Sequence, residues 1–263
     1  FCSAGGSGDF AEGRCGSVAE QLERAKGRLR GKTGAEKFIA YFQSYTNTYA
    51  PVEYLEKLFS EAMAEESVVA LSIGTRPDCL PEEVVALLEK LNRGKPVWVE
   101  LGLQTIHPET ARYIRRGYDL HVYEDALRRF RAAGLTVVVH VILGLPGETR
   151  EMMLATIDYL AGAYRPDGIK LQLLHVLEGT DLADEYRAGK FRTMEMGEYF
   201  DLLFECLGRL PPDMVIHRLT GDGPKRTLIA PKWTADKKRV LNALRRELEN
   251  RDIRQGAGKM QQF

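Results

Sequence analysis

Short apolar runs alternate with amphipathic segments along most of the chain, and this alternation is the hydrophobic pattern of βα units. Strands are predicted at residues 37–43, 68–73, 97–103, 136–143 and 169–174. Helices are predicted at residues 18–30, 51–65, 81–92, 108–115, 122–133 and 149–163. The run at 136–143 is apolar almost throughout, which is typical of a parallel strand buried on both faces. The pattern therefore predicts an α/β fold built on a parallel sheet.

The pattern changes after the fifth strand. Further helices are predicted at residues 180–188, 195–210 and 234–251, with a strand at 214–219 and a loose tail from residue 255. We also expect a first strand upstream of Cys2, which would complete six βα units. The predicted fold class is α/β, a partial (β/α)6 TIM-like barrel over residues 1–180 followed by a C-terminal α/β extension over residues 181–263.

Composition narrows the class of protein. The chain has 263 residues, of which 44% are apolar, so it can form one large domain or two small ones, and we do not expect a disordered protein. It has no run of 18 apolar residues, and its first residues lack the basic and apolar regions of a signal peptide. We therefore expect a cytoplasmic protein with no membrane partner.

Charge is unevenly distributed along the chain. Basic and acidic residues are equal at 37 each, but residues 214–263 hold 12 basic and 5 acidic residues, which leaves 25 and 32 in the first 213. A basic C-terminal region suggests a phosphate-rich partner such as nucleic acid. An exposed, solvated helix would give the same count, so both interpretations stay open here.

Four cysteines, Cys2, Cys15, Cys79 and Cys206, show no paired spacing typical of a disulfide framework or a zinc site. Cys2 differs from the others because it lies beside an N-terminus without Met, in a Gly- and Ser-rich segment that reads as the interior of a loop. We expect that further residues belong upstream of Phe1.

Polar residues follow each predicted strand, at residues 43–48, 74–78, 104–107, 144–149 and 175–180. In a parallel βα barrel the C-terminal strand ends gather the reacting groups at one rim. Turn residues of these types also satisfy local backbone groups whatever the function. Glu100 and His140, however, lie inside apolar strands, where a bound polar ligand or a paired network has to satisfy them.

The order of five motifs resembles a known family over nearly the whole chain. The motifs are Phe1-Cys2-Ser3 with Ser7-Gly8-Asp9-Phe10, then residues 41–49, 74–80, 100–105 and 143–148. The chain resembles the radical S-adenosylmethionine (SAM) superfamily, most closely the bacterial YhcC/YtqA-like proteins, in the branch with the oxygen-independent coproporphyrinogen III oxidases and the elongator catalytic subunit. The resemblance implies a partial barrel of the radical SAM type.

The resemblance implies two cofactors, a [4Fe-4S] cluster and S-adenosyl-L-methionine. Cys2 would be the last thiolate of a three-cysteine loop whose other two cysteines lie upstream, and the fourth iron would bind the amino and carboxylate groups of SAM. Cys15, Cys79 and Cys206 do not match that loop. The resemblance therefore implies that this chain is inactive without the upstream residues that carry those two cysteines.

The resemblance also implies which residues contact SAM. The turn that holds the methionyl amine is Gly-Gly-Glu in the wider superfamily and is replaced here by uncharged residues, as in the closer family. Gln104 would bind the cofactor, and Arg116 would pair with its carboxylate through two hydrogen bonds. The implied set of SAM contacts is Gln43, Ser44, Thr46, Asn47, Ser72, Gln104, Arg116, His140, Leu145 and His175.

Three of these positions, and Gly74 outside the set, need a separate comment. His140 stands where the porphyrinogen oxidases have an aspartate on the ribose, and Gly74 stands where related enzymes have a glutamate. Leu145 would present backbone to the adenine. His175 is either a cofactor or substrate contact or a structural histidine, and the sequence leaves both open.

The implied chemistry is reductive cleavage of SAM to a 5′-deoxyadenosyl radical, with electrons from a donor such as flavodoxin or ferredoxin. No side chain needs to act as a general base. Candidate substrate or phosphate contacts are His217, Arg218, Asp222, Lys225 and Arg226. With the basic helix and the resemblance to the elongator subunit, they suggest tRNA as partner and modification of a wobble uridine as function.

Two alternatives belong to other classes. A cluster-free radical SAM relative could act as an RNA- or protein-binding module. A metal-free (β/α) enzyme such as an aldolase would need a Schiff-base lysine at a strand end, and Lys170, inside a strand, is the only candidate.

Overall fold

The computed structural model describes residues 16–221 and 223–259. The helices are α1 (Val18–Thr33), α2 (Val52–Ala64), α3 (Glu82–Asn92), α4 (Pro108–Tyr113), α5 (Leu120–Ala132), α6 (Arg150–Ala161), α7 (Asp181–Arg187), α8 (Met196–Arg209) and α9 (Lys237–Asn250). The strands are β1 (Phe38–Phe42), β2 (Val68–Thr75), β3 (Val97–Gln104), β4 (Thr136–Leu143), β5 (Gly168–Leu173), β6 (Val176–Leu177), β7 (Val215–Arg218) and β8 (Leu228–Ala230). The five strands predicted before residue 180 are all present.

Six of the strands form one sheet in the order β1-β2-β3-β4-β5-β7. The pairs β1/β2 and β2/β3 are parallel, as the apolar runs predicted, and the pair β5/β7 is parallel as well. Strand β7 comes from the region predicted as an extension, and it pairs beside β5 with Gly168 opposite Val215. The strand expected upstream of Cys2 lies outside the described residues, and the boundary at residue 180 stays a prediction.

The antiparallel pair β6/β8 was not predicted. Its strands are two and three residues long, too short to produce a readable alternation of apolar and polar residues. The 3₁₀ helix at Lys232–Ala235 escaped prediction for the same reason. The prediction of a loose tail from residue 255 is wrong for residues 255–259, because Gln255 donates to the carbonyls of Pro211 and Met214 and a 3₁₀ helix follows at Ala257–Lys259. In the described part of the chain, no helix is both long and apolar enough to cross a membrane.

The described residues divide into two compact units. The first unit comprises residues 16–102 and 121–138. Within it, α2 packs on β2 through Leu55, Phe59 and Ala62, which share one helix face at spacings of four and three. Phe59 meets Phe42 edge to face with ring centroids 5.0 Å apart. Burial of each of the larger side chains, Leu55 and Phe59, stabilises the unit by about 1.5–3 kcal/mol.

The second unit comprises residues 103–120, 139–221 and 223–259. Helix α8 packs against α6, and its fully buried Tyr199 donates a hydrogen bond from Oη to the carbonyl of Leu219, 2.7 Å away. The ring of Trp233 lies 6.0 Å from that of Tyr199. The aromatic contacts of α8 therefore tie the segment after β7 to the core of this unit.

Candidate functional site

The first unit buries a carboxylate in its sheet. Glu100 on β3 is only 3% exposed. Ser72 on β2 donates its hydroxyl to Oε1 at 2.6 Å, and Tyr41 on β1 donates to Oε2 at 2.8 Å. The strand register pairs Tyr41 with Ser72 and Gly74 with Glu100, which places all three side chains on one face of the sheet. The network expected around this buried carboxylate is therefore present.

The turn after β1 is held against the end of β2. Asn47 donates both hydrogens of its amide group, to the carbonyls of Phe42 at 2.9 Å and Gly74 at 2.8 Å. A Cβ atom on Gly74 would lie 3.2 Å from the carbonyl oxygen of Phe42, so the close approach of the turn explains glycine here. Gln43, Ser44, Thr46 and Asn47 share this turn, and Asn47 keeps its Oδ1 atom as an acceptor.

In the second unit, β3 ends in a tight turn. Gln104 has a φ of 67°, and the backbone N–H of Thr105 donates to the carbonyl of Leu103 at 2.8 Å. An i to i+2 hydrogen bond around a residue with positive φ defines a classic γ-turn, which is rare and strained for a residue other than glycine. A predicted cofactor residue thus occupies a strained backbone position, as functional residues often do.

Arg116 lies beneath this turn and is 7% exposed. Its Nη1 atom donates to the carbonyls of Leu103 at 3.1 Å and Thr105 at 2.6 Å. Its Nε and Nη2 atoms donate to the carbonyl of Tyr118 at 3.1 and 3.0 Å. The guanidinium also lies over the Tyr118 ring, 4.6 Å from the centroid. Burial lowers the pKa of Arg116 from its usual value.

Glu148, in the motif at residues 143–148, is hydrogen-bonded to the same turn. The fully buried Thr105 donates its hydroxyl to Oε1 of Glu148 at 2.5 Å and accepts from the backbone N–H of His107 at 3.1 Å. Burial raises the pKa of Glu148, and the hydrogen bond from Thr105 opposes that shift. The motif quoted for the resemblance therefore has a structural task beside any contact with a ligand.

His140 on β4 is paired with a residue that sequence reasoning missed. The amide nitrogen of Gln172 on β5 lies 3.3 Å from Nδ1 of His140. Because an amide nitrogen only donates, Nδ1 accepts, and the ring hydrogen of a neutral His140 sits on Nε2. Gln172 is a polar residue inside an apolar strand, which is the signal that drew attention to Glu100 and His140.

His175 is packed inside its own unit. Its Nε2 atom lies 3.1 Å from the hydroxyl of Thr234, which gives its one hydrogen to the carbonyl of Pro231, so His175 is the donor. A Cβ atom on Gly221 would lie 2.4 Å from the imidazole ring, and one on Gly223 would lie 3.1 Å away. These contacts favour the structural interpretation of His175.

The remaining predicted residues of the second unit are spread over its surface and core. Leu145 is 1% exposed and belongs to a core cluster with Ile114 and Leu174, so only its backbone can face a ligand. His217 lies against Gly168, where a Cβ atom would be 2.6 Å from Nε2. Arg218 is half-buried, whereas Lys225 and Arg226 are exposed. Asp222 and Cys2 lie outside the described residues.

Helix α9 carries the basic residues predicted to meet phosphate. Val240 and Leu244 face inward and are buried. The outward residues include Lys238, Arg239, Arg245 and Arg246, all exposed. Among residues 16–221 and 223–259, no three side chains of His, Cys, Asp or Glu are grouped so that they could hold a metal ion.

A cleft of about 380 Å³ also opens in the second unit, and the sequence did not indicate it. Its walls include Tyr113, Met152, Glu185 and Phe191. Tyr113 donates its hydroxyl to Glu185 at 2.5 Å, and burial together with this bond raises the pKa of Tyr113 to about 12. The lining residues come from separate segments of the chain, so no local pattern marks the cleft.

Comparison with known proteins identifies close relatives. The chain is 45% identical to the uncharacterized protein YtqA of Bacillus subtilis over 97% of this chain and 79% of the relative. It is 35% identical to protein YhcC of Escherichia coli over 98% of this chain and 82% of the relative. It is also 29% identical to the tRNA uridine(34) acetyltransferase of Methanocaldococcus jannaschii, over 63% of this chain and 30% of the relative.

Solved structures share the fold. The Elp3 protein of Methanocaldococcus infernus superposes with a TM-score of 0.73 at 21% identity, covering 91% of this chain and 62% of that chain. Coproporphyrinogen III oxidase (HemN) of Escherichia coli superposes with a TM-score of 0.51 at 19% identity, covering 73% of this chain and 48% of that chain. These likenesses confirm the predicted fold class, a partial barrel of the radical SAM type. The family model for the radical SAM superfamily matches residues 1–160 and that for the radical SAM C-terminal domain matches residues 166–250, so the chain belongs to the radical SAM superfamily.

Proposed function

We propose that this protein is an enzyme that cleaves S-adenosylmethionine reductively. The observation that carries the proposal is the superfamily match over residues 1–160. That range includes Cys2, the residue for which the resemblance implies the role of a cluster thiolate. A [4Fe-4S] cluster held by Cys2 and by cysteines upstream of it would supply the one electron needed to cleave the C5′–S bond of SAM to methionine and a 5′-deoxyadenosyl radical, which would then abstract hydrogen from the substrate. Cys2 lies outside the described residues.

In the first unit, the residues proposed to contact SAM are those of the turn at residues 43–47, whose neutral oxygens, including Oδ1 of Asn47, would accept hydrogen bonds from the methionyl ammonium. In the second unit, Gln104 would contact the cofactor, the backbone at Leu145 would face the adenine, and His140 would contact the ribose. These residues would bind and orient SAM and exclude water from it, and none of them has to move a proton.

The test is anaerobic reconstitution of the full-length protein with iron and sulfide. Dithionite and SAM are then added, and 5′-deoxyadenosine is measured by chromatography. Cluster-dependent product that is lost in Cys2→Ala supports the proposal. A folded protein that holds no cluster and forms no product would overturn it and favour the cluster-free binding module instead.

We further propose tRNA as the substrate class, with a wobble uridine as the modified base. Support comes from the exposed basic residues of α9 and from the likeness to a protein named tRNA uridine(34) acetyltransferase. Phosphate contacts by Lys and Arg make affinity strongly salt-dependent. Stimulation of 5′-deoxyadenosine formation by bulk tRNA would support this substrate, whereas the absence of any salt-dependent RNA binding would contradict it.

A further inference from the structure

We propose that Arg116 is a positioning residue that holds the γ-turn at Gln104, and that it does not form the two-bond fork with the SAM carboxylate which the resemblance implies. This inference rests on the proposed function, because it concerns how the chain would present Gln104 to SAM. It depends on contacts within the second unit alone.

The hydrogen-bond donors of Arg116 are nearly all in use. A guanidinium has five N–H hydrogens. Within the described residues, both hydrogens of Nη1 go to the carbonyls of Leu103 and Thr105. The Nε hydrogen and one Nη2 hydrogen go to the carbonyl of Tyr118. One hydrogen on Nη2 remains, so a fork of two parallel N–H bonds to a carboxylate cannot form without breaking a bond that is already made.

The accepted carbonyls explain what these bonds achieve. Leu103 and Thr105 flank Gln104, so a single nitrogen of Arg116 binds the carbonyl of the residue on each side of the strained one. A positive φ outside glycine is strained and persists only where the surrounding structure holds it in place. The bond from Thr105 to Glu148 is a second restraint on the same turn. Together they fix the direction in which the Gln104 side chain leaves β3.

A ligand without the carboxylate separates the two roles. SAM and decarboxylated SAM are titrated calorimetrically into the full-length, reconstituted wild type and into Arg116→Lys and Arg116→Gln. If Arg116 positions Gln104, each substitution lowers the affinity for both ligands by the same factor. We expect about tenfold, because hydrogen bonds from a charged group are lost. Lys does not rescue, because its point charge cannot bridge carbonyls on two sides.

The opposite result would overturn the inference. If Arg116 bound the carboxylate directly, its substitution would weaken SAM and leave decarboxylated SAM unchanged, and Lys would restore part of the SAM affinity. Arg112→Ala is the matched control, since Arg112 is an exposed arginine in the neighbouring helix α4. We expect this control to bind both ligands like the wild type.

Hydrogen exchange gives a readout that needs no ligand. We expect the amides of residues 103–107 to exchange faster in Arg116→Lys than in the wild type or Arg112→Ala, while the melting temperature of the variant still reports a folded protein. Thr105→Val, which removes the bond to Glu148, should accelerate exchange in the same segment. Unchanged exchange in both variants would overturn the positioning role. A wild type that binds neither ligand would instead count against the proposed function, and the exchange data would still decide the role of Arg116.

Discussion

Glu100 is a buried carboxylate whose hydrogen-bond donors come from neighbouring strands of the sheet and not from a turn. Its strand partners present hydroxyls from β1 and β2 on the same face, and each carboxylate oxygen accepts one of them. A buried carboxylate is tolerated only with such donors, because its desolvation is otherwise too costly. Removing one donor should therefore lower the free energy of unfolding by more than the net contribution of the hydrogen bond.

Ser72→Ala tests this expectation. We expect the variant to lose about 1–3 kcal/mol of unfolding free energy, because Glu100 keeps its burial and loses a donor. Urea denaturation followed by circular dichroism measures the change. Ser60→Ala, on the exposed face of α2, is the matched control and should stay within about 0.5 kcal/mol of the wild type. Equal effects of the two substitutions would contradict the role assigned to Ser72.

Glu148 should leave a signature in the pH dependence of stability. Burial raises its pKa above the ordinary value of 4.5, so the folded chain binds more protons than the unfolded chain between these two pKa values. Stability contributed by this group is therefore full below pH 4.5 and falls as pH rises through the interval. Glu148→Gln keeps an acceptor for Thr105 and removes the titration.

We expect the unfolding free energy of Glu148→Gln, relative to the wild type, to increase as pH rises above 4.5. Denaturation curves measured at a series of pH values report this difference directly. A constant difference across the series would show that the carboxyl does not titrate differently in the folded protein.

At the scale of elements, glycines mark where two segments of the second unit approach closely. Gly221 and Gly223 lie against the two sides of the His175 ring, and Gly168 lies against His217. The segment after β7 is thereby held to the end of β5, with Thr234 accepting from His175. Side chains at these glycines would separate elements that are far apart in the chain.

Gly221→Ala should destabilise the second unit. Its Cβ atom would lie 2.4 Å from Cε1 of His175 and 3.0 Å from the carbonyl oxygen of Leu173, so the ring must leave its place. We expect a loss of about 1–3 kcal/mol, the usual cost of overpacking. Gly27→Ala is the control, because Gly27 lies in the middle of α1 with open space around it and should gain roughly 0.5–1 kcal/mol. A neutral Gly221→Ala would show that the His175 packing is not tight.

At the scale of the whole molecule, the basic and acidic residues are equal in number but separated along the chain. Helix α9 uses its apolar residues for packing and exposes most of its positive charge. A helix arranged in this way attracts polyanions, and the strength of that attraction is measured by its dependence on salt.

The double variant Arg245→Ala/Arg246→Ala tests whether α9 meets RNA phosphates. We expect the slope of log affinity for bulk tRNA against log salt concentration to become shallower by about 0.9 for each phosphate contact removed. Filter binding over a range of salt concentrations measures this slope. The matched variant Lys57→Ala/Arg112→Ala removes the same charge at other exposed positions and should keep the wild-type slope. Identical slopes for all three proteins would contradict the proposed RNA surface.

The sequence by itself determined the βα order, strands β1 to β5 and the basic character of α9. Periodicity and burial are local properties of a run of residues, so the apolar strand at residues 136–143 could be placed to the residue. The capping residues Ser17 and Thr149 likewise determine their helix starts through bonds that span three residues. The motif order was also enough to indicate the family.

Only the tertiary structure decided how distant segments meet. The pairing of β7 with β5, the enclosure of His175 by Gly221 and Gly223, and the bond of Gln172 to His140 all join residues far apart in the chain. The same holds for Arg116, for which the resemblance implied a carboxylate ligand and whose guanidinium is bound to the carbonyls of the residues on either side of Gln104. A sequence shows which donors a side chain carries, whereas the partners that use them are set by the packing of the folded chain.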